Sequence, residues 1–96
     1  MCAPPDMITR HLIVTGRVQG VGYRYYLAYK ARQFQVSGWV RNRTDGSVEA
    51  VIQGVRENVE ALIVRAHRGP PKAAVDRVIV NEATGQFTDF STRPTT

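Results

Sequence analysis

The sequence has only one cysteine, Cys2, in its 96 residues. It therefore cannot form an internal disulfide or a cysteine-based metal site. Cys2 stands close to the start of the chain, a position more typical of an incidental residue than of a catalytic thiol. The two histidines, His11 and His67, are far apart and lack the spacing of metal ligands. None of these residues indicates a metal centre.

Long apolar runs are also missing, since none reaches the roughly 20 residues that a membrane-spanning helix requires. Residues 1–6 contain neither the basic cluster nor the apolar stretch of a signal peptide. We therefore expect a cytoplasmic protein. The length of 96 residues is typical of one domain, and we expect that domain to span 1–96, with loose segments at 1–7 and 92–96.

Acidic residues are fewer than basic ones, 8 against 13, which gives a formal net charge of +5. A surface of this charge attracts anions, and nucleic acid, an acidic membrane and a small phosphorylated substrate are all compatible with it. The acidic residues do not form an obvious magnesium site, because Asp45, Glu49, Glu57 and Glu60 are scattered over a predicted turn, strand and helix.

Apolar periodicity and turn residues predict elements in the order β-α-β-β-α-β. The first predicted strand begins at residue 8 and ends near 16–18, and the other strands cover residues 36–42, 47–53 and 75–80. The predicted helices cover about 24–34 and 55–68. We expect Gly54 to break the third strand, and residues 87–91 leave room for a fifth strand at an edge. This order is typical of the α+β class and of a ferredoxin-like two-layer sandwich.

The predicted topology brings two distant segments together. A strand–helix–strand crossover should return the second strand parallel to the first, so that both strands end at one edge of the sheet. The glycine-bearing loop after the first strand should then lie beside Asn42, which ends the second. Ligands commonly bind at such strand ends in open α/β layers.

The segment Gln19-Gly20-Val21-Gly22-Tyr23-Arg24 has the chemistry of a phosphate cradle. Its two glycines permit positive φ angles, and successive amides in such a turn can form a nest for an anion. The following helix adds unpaired amides, and Arg24 adds a planar fork that matches phosphate oxygens. The usual nucleotide-binding glycine signatures are absent. On these residues alone, a plain strand-to-helix connection with a solvated arginine remains the alternative.

Two longer motifs resemble those of the acylphosphatase family. Residues 14–24 (VTGRVQGVGYR) are similar to the first family signature, and residues 38–42 (GWVRN), followed by Gly46, Val48 and Gly54, are similar to the second. The stretch Gly69-Pro70-Pro71 also resembles the family, and the similarity spans about residues 8–80. Tyr23 stands where phenylalanine is usual. Gln35 stands where a glycine commonly ends the first helix, which predicts a helix cap that is strained or differently shaped.

The resemblance implies a small freestanding acylphosphatase, which hydrolyses acyl phosphates to a carboxylate and inorganic phosphate without a metal or other cofactor. It implies that the phosphoryl group is bound by Arg24 and by the backbone amides of Gln19, Gly20, Val21, Gly22 and Tyr23. Asn42 would orient the attacking water; without the motif it would be interpreted as a residue capping the hairpin. The implied partners are the acyl phosphate and phosphate of a monomeric enzyme, with no nucleic acid or membrane.

Two other functions stay open at this point. An RNA-binding module would stack bases on aromatic residues of its central strands, but residues 47–53 contain none. The second alternative is a regulatory domain that binds phosphate without turnover, such as the one at the start of a hydrogenase-maturation enzyme. The lack of appended zinc-binding cysteines favours a freestanding enzyme over this alternative. The four tyrosines at positions 23, 25, 26 and 29 cover several helix faces, which indicates core and surface packing rather than base stacking.

Overall fold

The structure, a computed structural model, describes residues 6–96, so Cys2 lies outside the described part. Five strands and two helices follow one another as β1 (Met7–Arg17), α1 (Tyr23–Gln33), β2 (Ser37–Asn42), β3 (Val48–Val55), α2 (Arg56–Arg68), β4 (Ala74–Glu82) and β5 (Phe90–Thr92). The predicted β-α-β-β-α-β order is confirmed, with a fifth strand at the end. Within residues 6–96, neither helix is long and apolar enough to cross a membrane.

The strands form one mixed sheet in the order β4-β1-β3-β2-β5. Strand β3 pairs antiparallel with both β1 and β2, so β1 and β2 run in the same direction. Strand β4 is antiparallel to β1, and the short β5 is parallel to β2. With both helices packed on it, the sheet has the predicted ferredoxin-like α+β fold.

The core lies between the sheet and the helices. Because side chains alternate along a strand, every second residue of the central strands points to the helices. The leucine, isoleucine and valine side chains of this layer with 0% exposure are Leu12, Val14, Leu27, Val40, Val48, Ile52, Val59 and Leu62. Each such side chain stabilises the fold by about 1.5–3 kcal/mol, which fixes the strand register and hence the positions of the strand ends.

The other face of the sheet carries a charged and aromatic cluster. The Trp39 ring lies between the guanidinium groups of Arg41 and Arg93, at 4.8 and 4.7 Å from its centre. Glu49 accepts 2.7 Å hydrogen bonds from Arg41 and from His11, which connects β1, β3 and β2 across this face. His11 therefore belongs to a hydrogen-bond network centred on Glu49.

Strand β3 continues through Gly54 to Val55, so the prediction that Gly54 breaks the strand is wrong. Gly54 pairs with Ile8 in the β1–β3 ladder, and its chain stays extended. It is buried under the connection from α1 to β2: a β-carbon here would lie 3.5 Å from the Gln35 carbonyl oxygen and 3.6 Å from Val36. Tertiary pairing thus overrides the local preference of glycine for turns.

The two segments expected to be loose are partly ordered. Residues 1–5 lie outside the described part, but Met7 pairs with Val55 in β1, and the Asp6 carbonyl accepts a 2.8 Å hydrogen bond from the Arg56 amide. Residues 92–96 continue along β2, where the Thr96 amide bonds the Asn42 carbonyl at 3.2 Å. Among the described residues, Asp6, Met7, Arg93 and Thr96 have backbone partners, so the expectation of loose segments at 1–7 and 92–96 needs correction for these residues.

Gln35 lies in the α1–β2 connection with φ of 59°, the only positive φ of a non-glycine residue among those described. The Val36 amide next to it bonds back to the Ala31 carbonyl at 2.8 Å, as in a helix end that usually contains glycine. The predicted strain at Gln35 is thus confirmed.

Candidate active site

A cavity of about 300 Å³ opens where β1 and β2 end. It is lined by Val18, Gly20, Gly22, Tyr23, Arg24, Tyr25, Asn42 and Thr92, and none of these residues is acidic. The prediction that the loop and Asn42 are neighbours is therefore confirmed. Of the five residues predicted to bind phosphate through their amides, Gly20, Gly22 and Tyr23 line this cavity. Gln19 and Val21 do not line it.

The loop that borders the cavity has a backbone only glycine adopts easily. Gly20 and Gly22 have φ angles of 73° and 83°, in the left-handed region. Gly22 is also the N-cap of α1, without a side-chain cap and without an acidic residue in the first turn. No amide from residue 19 to residue 25 donates a hydrogen bond to any atom of residues 6–96. The loop and helix start therefore present unpaired donors, which favours anion binding.

Arg24 provides the positive side chain of the cavity. Its side chain is half-buried in the first turn of α1. In the described part of the chain it forms neither an ion pair nor a side-chain hydrogen bond, in contrast to Arg41 and Arg56, which are paired with carboxylates. An unpaired guanidinium beside free amides can bind two oxygens of one phosphoryl group.

Asn42 provides the opposite kind of group, a free acceptor. Its Oδ1 atom is buried and has no hydrogen-bond partner among residues 6–96. Leaving a buried acceptor unsatisfied costs about 1–3 kcal/mol. A donor supplied by a molecule bound beside Asn42, such as water, would satisfy this oxygen.

Comparison with known proteins agrees with this geometry, since the acylphosphatase family model matches residues 10–92. The chain belongs to the acylphosphatase family. An acylphosphatase of Thiobacillus denitrificans is 51% identical over 87 residues, which cover 91% of this chain and 98% of that relative. The acylphosphatase structure from Coxiella burnetii superposes with a TM-score of 0.88 at 37% identity, over 92% of this chain and 94% of the other.

A larger protein contains a similar unit. The crystal structure of full-length HypF in its phosphate- and nucleotide-bound form matches with a TM-score of 0.88 at 25% identity. The match covers 97% of this chain but only 13% of that one. The acylphosphatase fold therefore occurs both in short chains and as a small part of a longer chain.

The side chain of Gln19 attaches the acylphosphatase loop to the β2–β3 hairpin. Its Nε2 group donates to the carbonyl oxygens of Arg43 at 2.7 Å and Ser47 at 2.8 Å. Asp45 closes the same hairpin by accepting from the Ser47 hydroxyl and amide, and these two hydrogen bonds lower the pKa of Asp45. The sequence indicated Gln19 only as an amide donor, because its partners are carbonyls that no side-chain pattern reveals.

Three residues that line the cavity, Val18, Tyr25 and Thr92, were not predicted as site residues. Thr92 reaches the cavity because β5 runs parallel to β2 and ends beside Asn42. Tyr25 borders the cavity next to Arg24, with 77% of its surface exposed. The tyrosine group in the sequence was the only signal that could have drawn attention to Tyr25.

A second, larger cleft of about 740 Å³ lies at the other end of β1. Its walls include Asp6, Arg10, Arg56 and Glu82, and Arg56 is already paired with Asp6 at 2.7 Å. None of the predicted site residues borders this cleft. Within residues 6–96, no group of three or more histidine or acidic side chains is arranged to hold a metal ion.

Proposed function

We propose that this protein is an acylphosphatase, which hydrolyses carboxylic–phosphoric mixed anhydrides to a carboxylate and inorganic phosphate. One observation carries the proposal. Arg24, which has no ion-pair partner within residues 6–96, and Asn42, whose Oδ1 has no hydrogen-bond partner there, line the same cavity of an acylphosphatase-family chain. The cavity volume of about 300 Å³ is at the small end of ligand sites, which suits a small substrate.

Arg24 and the backbone amides of residues 19–23 bind the phosphoryl group in this proposal. The absence of acidic residues from the cavity wall supports this role, because a carboxylate there would repel the substrate. The unpaired amides and the guanidinium stabilise the negative charge on the phosphoryl oxygens as the reaction proceeds. The net charge of +5 adds a general attraction for anions.

Asn42 orients the attacking water through its Oδ1 acceptor. An amide cannot act as a general base at neutral pH, so its contribution is to position the nucleophile. This is sufficient if the transition state is loose and metaphosphate-like, because such a state makes little demand on the nucleophile. The water oxygen forms the new P–O bond, and both of its protons leave with the phosphate product.

The leaving group explains why such a small site is adequate. When the bond between phosphorus and the acyl oxygen breaks, its electron pair stays on the oxygen and forms the carboxylate. The carboxylate departs without a general acid because its conjugate acid has a pKa of about 4. A phosphate ester releases a much more basic alkoxide or phenoxide and should be a poor substrate. We therefore propose that the reaction also proceeds without a metal ion.

The test is to compare the hydrolysis of benzoyl phosphate and phenyl phosphate by the purified protein in EDTA. The proposal predicts rapid release of phosphate from the acyl phosphate and very slow release from the ester. Equal hydrolysis of both compounds would indicate a general phosphatase. Phosphate binding without turnover would indicate a regulatory domain, and loss of activity in EDTA that a metal restores would refute the metal-independent mechanism.

A further inference from the structure

The mouth of the proposed active site contains a large ring whose role the reaction above does not require. Among the side chains that line the cavity, Val18 and Tyr23 are buried, and Arg24 and Asn42 are half-buried. The exposed lining side chains are those of Tyr25 and Thr92. Tyr25 and Thr92 therefore have the lining side chains most accessible to a part of the substrate that extends toward solvent.

The Tyr25 ring is not engaged in packing within residues 6–96. The aromatic contact in α1 joins Tyr23 and Tyr26, at 6.5 Å between ring centres. Lys30 lies over the rings of Tyr26 and Tyr29, at 5.9 and 5.8 Å. Tyr25 makes none of these contacts, and 77% of the residue is exposed. A single exposed ring is unremarkable on a protein surface, so its position beside Arg24 carries the argument.

The acyl group is the part of the substrate that must reach this mouth. The phosphoryl group occupies the loop amides and Arg24, and its leaving oxygen has to be in line with the attacking water. An acyl group larger than acetyl reaches farther from the phosphate loop toward the mouth, where the exposed side chain of Tyr25 lines the cavity.

We propose that Tyr25 binds the acyl group and favours acyl phosphates that carry an aromatic ring over acetyl phosphate. This inference rests on the proposed acylphosphatase function. An offset or edge-to-face ring pair of ordinary strength changes affinity about three- to ten-fold. The preference should arise mainly in KM, because the acyl ring makes the same contact before and during the attack on phosphorus.

The test measures kcat/KM for benzoyl phosphate and for acetyl phosphate, and uses their ratio. Tyr25→Ala should lower the benzoyl-to-acetyl ratio about three- to ten-fold, through a higher KM for benzoyl phosphate. Tyr25→Phe should keep the ratio of the unmodified protein, because the ring face is retained. Tyr29→Ala is the matched control: Tyr29 is 55% exposed on the same helix but is not among the residues lining the cavity, so the ratio should stay unchanged.

Three results would overturn the inference. An unchanged ratio in Tyr25→Ala would show that the ring does not contact the acyl group. A ratio that falls equally in Tyr25→Phe would assign the effect to the hydroxyl rather than to the ring face. If the unmodified protein hydrolysed neither acyl phosphate, the proposed function itself would fail and the inference with it. If the unmodified protein hydrolysed both substrates but Tyr25→Ala left the ratio unchanged, the inference about Tyr25 would fail while the proposed acylphosphatase function would stand.

Discussion

The phenolic hydroxyl of Tyr23 donates a buried 2.8 Å hydrogen bond to the main-chain carbonyl oxygen of Ala66. In a continuing helix that carbonyl would accept from the amide four residues later, but position 70 is proline and has no N–H. Tyr23 stands where the family motif usually has phenylalanine, and its added hydroxyl thus provides a hydrogen-bond donor to an α2 carbonyl that lacks a helical amide partner. Burial raises the pKa of Tyr23 far above its ordinary value, so the group stays a neutral donor.

Tyr23→Phe should therefore destabilise the protein by about 1–2 kcal/mol, because the buried Ala66 carbonyl loses its donor. For a chain of this size, that change lowers Tm by several degrees, at about 4–8 °C per kcal/mol. Thermal unfolding followed by circular dichroism measures it. Tyr29→Phe, an exposed tyrosine on the same helix, is the control and should change Tm little. Equal Tm values for the two variants would show that the Tyr23–Ala66 bond does not stabilise the fold.

Gln35→Gly should stabilise the protein by about 1 kcal/mol, because it relieves a left-handed conformation that costs non-glycine residues about 1–2 kcal/mol. Urea unfolding measures the change. Gln33→Gly, at the end of the same helix, is the matched control and should destabilise by about 0.5–1 kcal/mol, since its backbone is helical. A loss of stability in Gln35→Gly would mean that the Gln35 side chain contributes more than its backbone strain costs.

Gln19→Glu should weaken both the fold and the proposed activity. The substitution keeps the shape of the side chain but replaces its amide donor with a carboxylate that faces the Arg43 and Ser47 carbonyls. We expect about 1–3 kcal/mol of destabilisation and a loss of about ten- to a hundred-fold in kcat, because the phosphate loop shifts relative to Asn42. Gln86→Glu, in an exposed loop, controls for the added charge. An unchanged kcat in Gln19→Glu would show that the hydrogen bonds of the Gln19 side chain do not position the phosphate loop.

The Glu49 carboxylate should make stability depend on pH in the acid range. Partial burial by itself raises the pKa of Glu49, but the hydrogen bonds from His11 and Arg41 outweigh it and hold the pKa below the ordinary 4.5. A carboxylate with a lowered folded pKa adds stability above its unfolded pKa and loses it as pH falls through the folded value.

The comparison of the unmodified protein with Glu49→Gln by urea unfolding between pH 3 and 6 tests this. The stability difference should be largest above about pH 5 and should shrink as the pH falls below 4.5. Glu60→Gln, an exposed residue of α2, provides a matched change of charge. A difference between Glu49→Gln and the unmodified protein that is the same at every pH would contradict the proposed charge network.

The sequence predicted the parts of the site that depend on local patterns and on topology. Apolar periodicity identified the order of the elements, and the crossover rule placed β1 and β2 in the same direction. These two inferences were enough to bring Arg24 and Asn42 to one cavity although they are 18 positions apart. The glycines of the loop also had a clear signal, because their positive φ angles require that residue type.

The features that the sequence did not predict depend on long-range pairing. Gly54 looks like a strand breaker by itself, but its position opposite Ile8 keeps it extended. Thr92 reaches the cavity only because β5 pairs with β2, and a three-residue edge strand has too little pattern to indicate its register. The Gln19 bonds end on carbonyl oxygens, which every residue possesses and no sequence motif reports.

The separate roles of Arg24 and Asn42 are tested most directly by measuring kcat for an acyl phosphate together with inhibition by inorganic phosphate. Asn42→Ala should lose about 10²–10³ in kcat, as expected for a group that acts on the transition state, while phosphate inhibits as before. Arg24→Ala should lose phosphate inhibition and about 10³ or more in kcat, and Arg24→Lys should restore little. An Asn42→Ala variant with normal kcat and weakened phosphate inhibition would contradict the account.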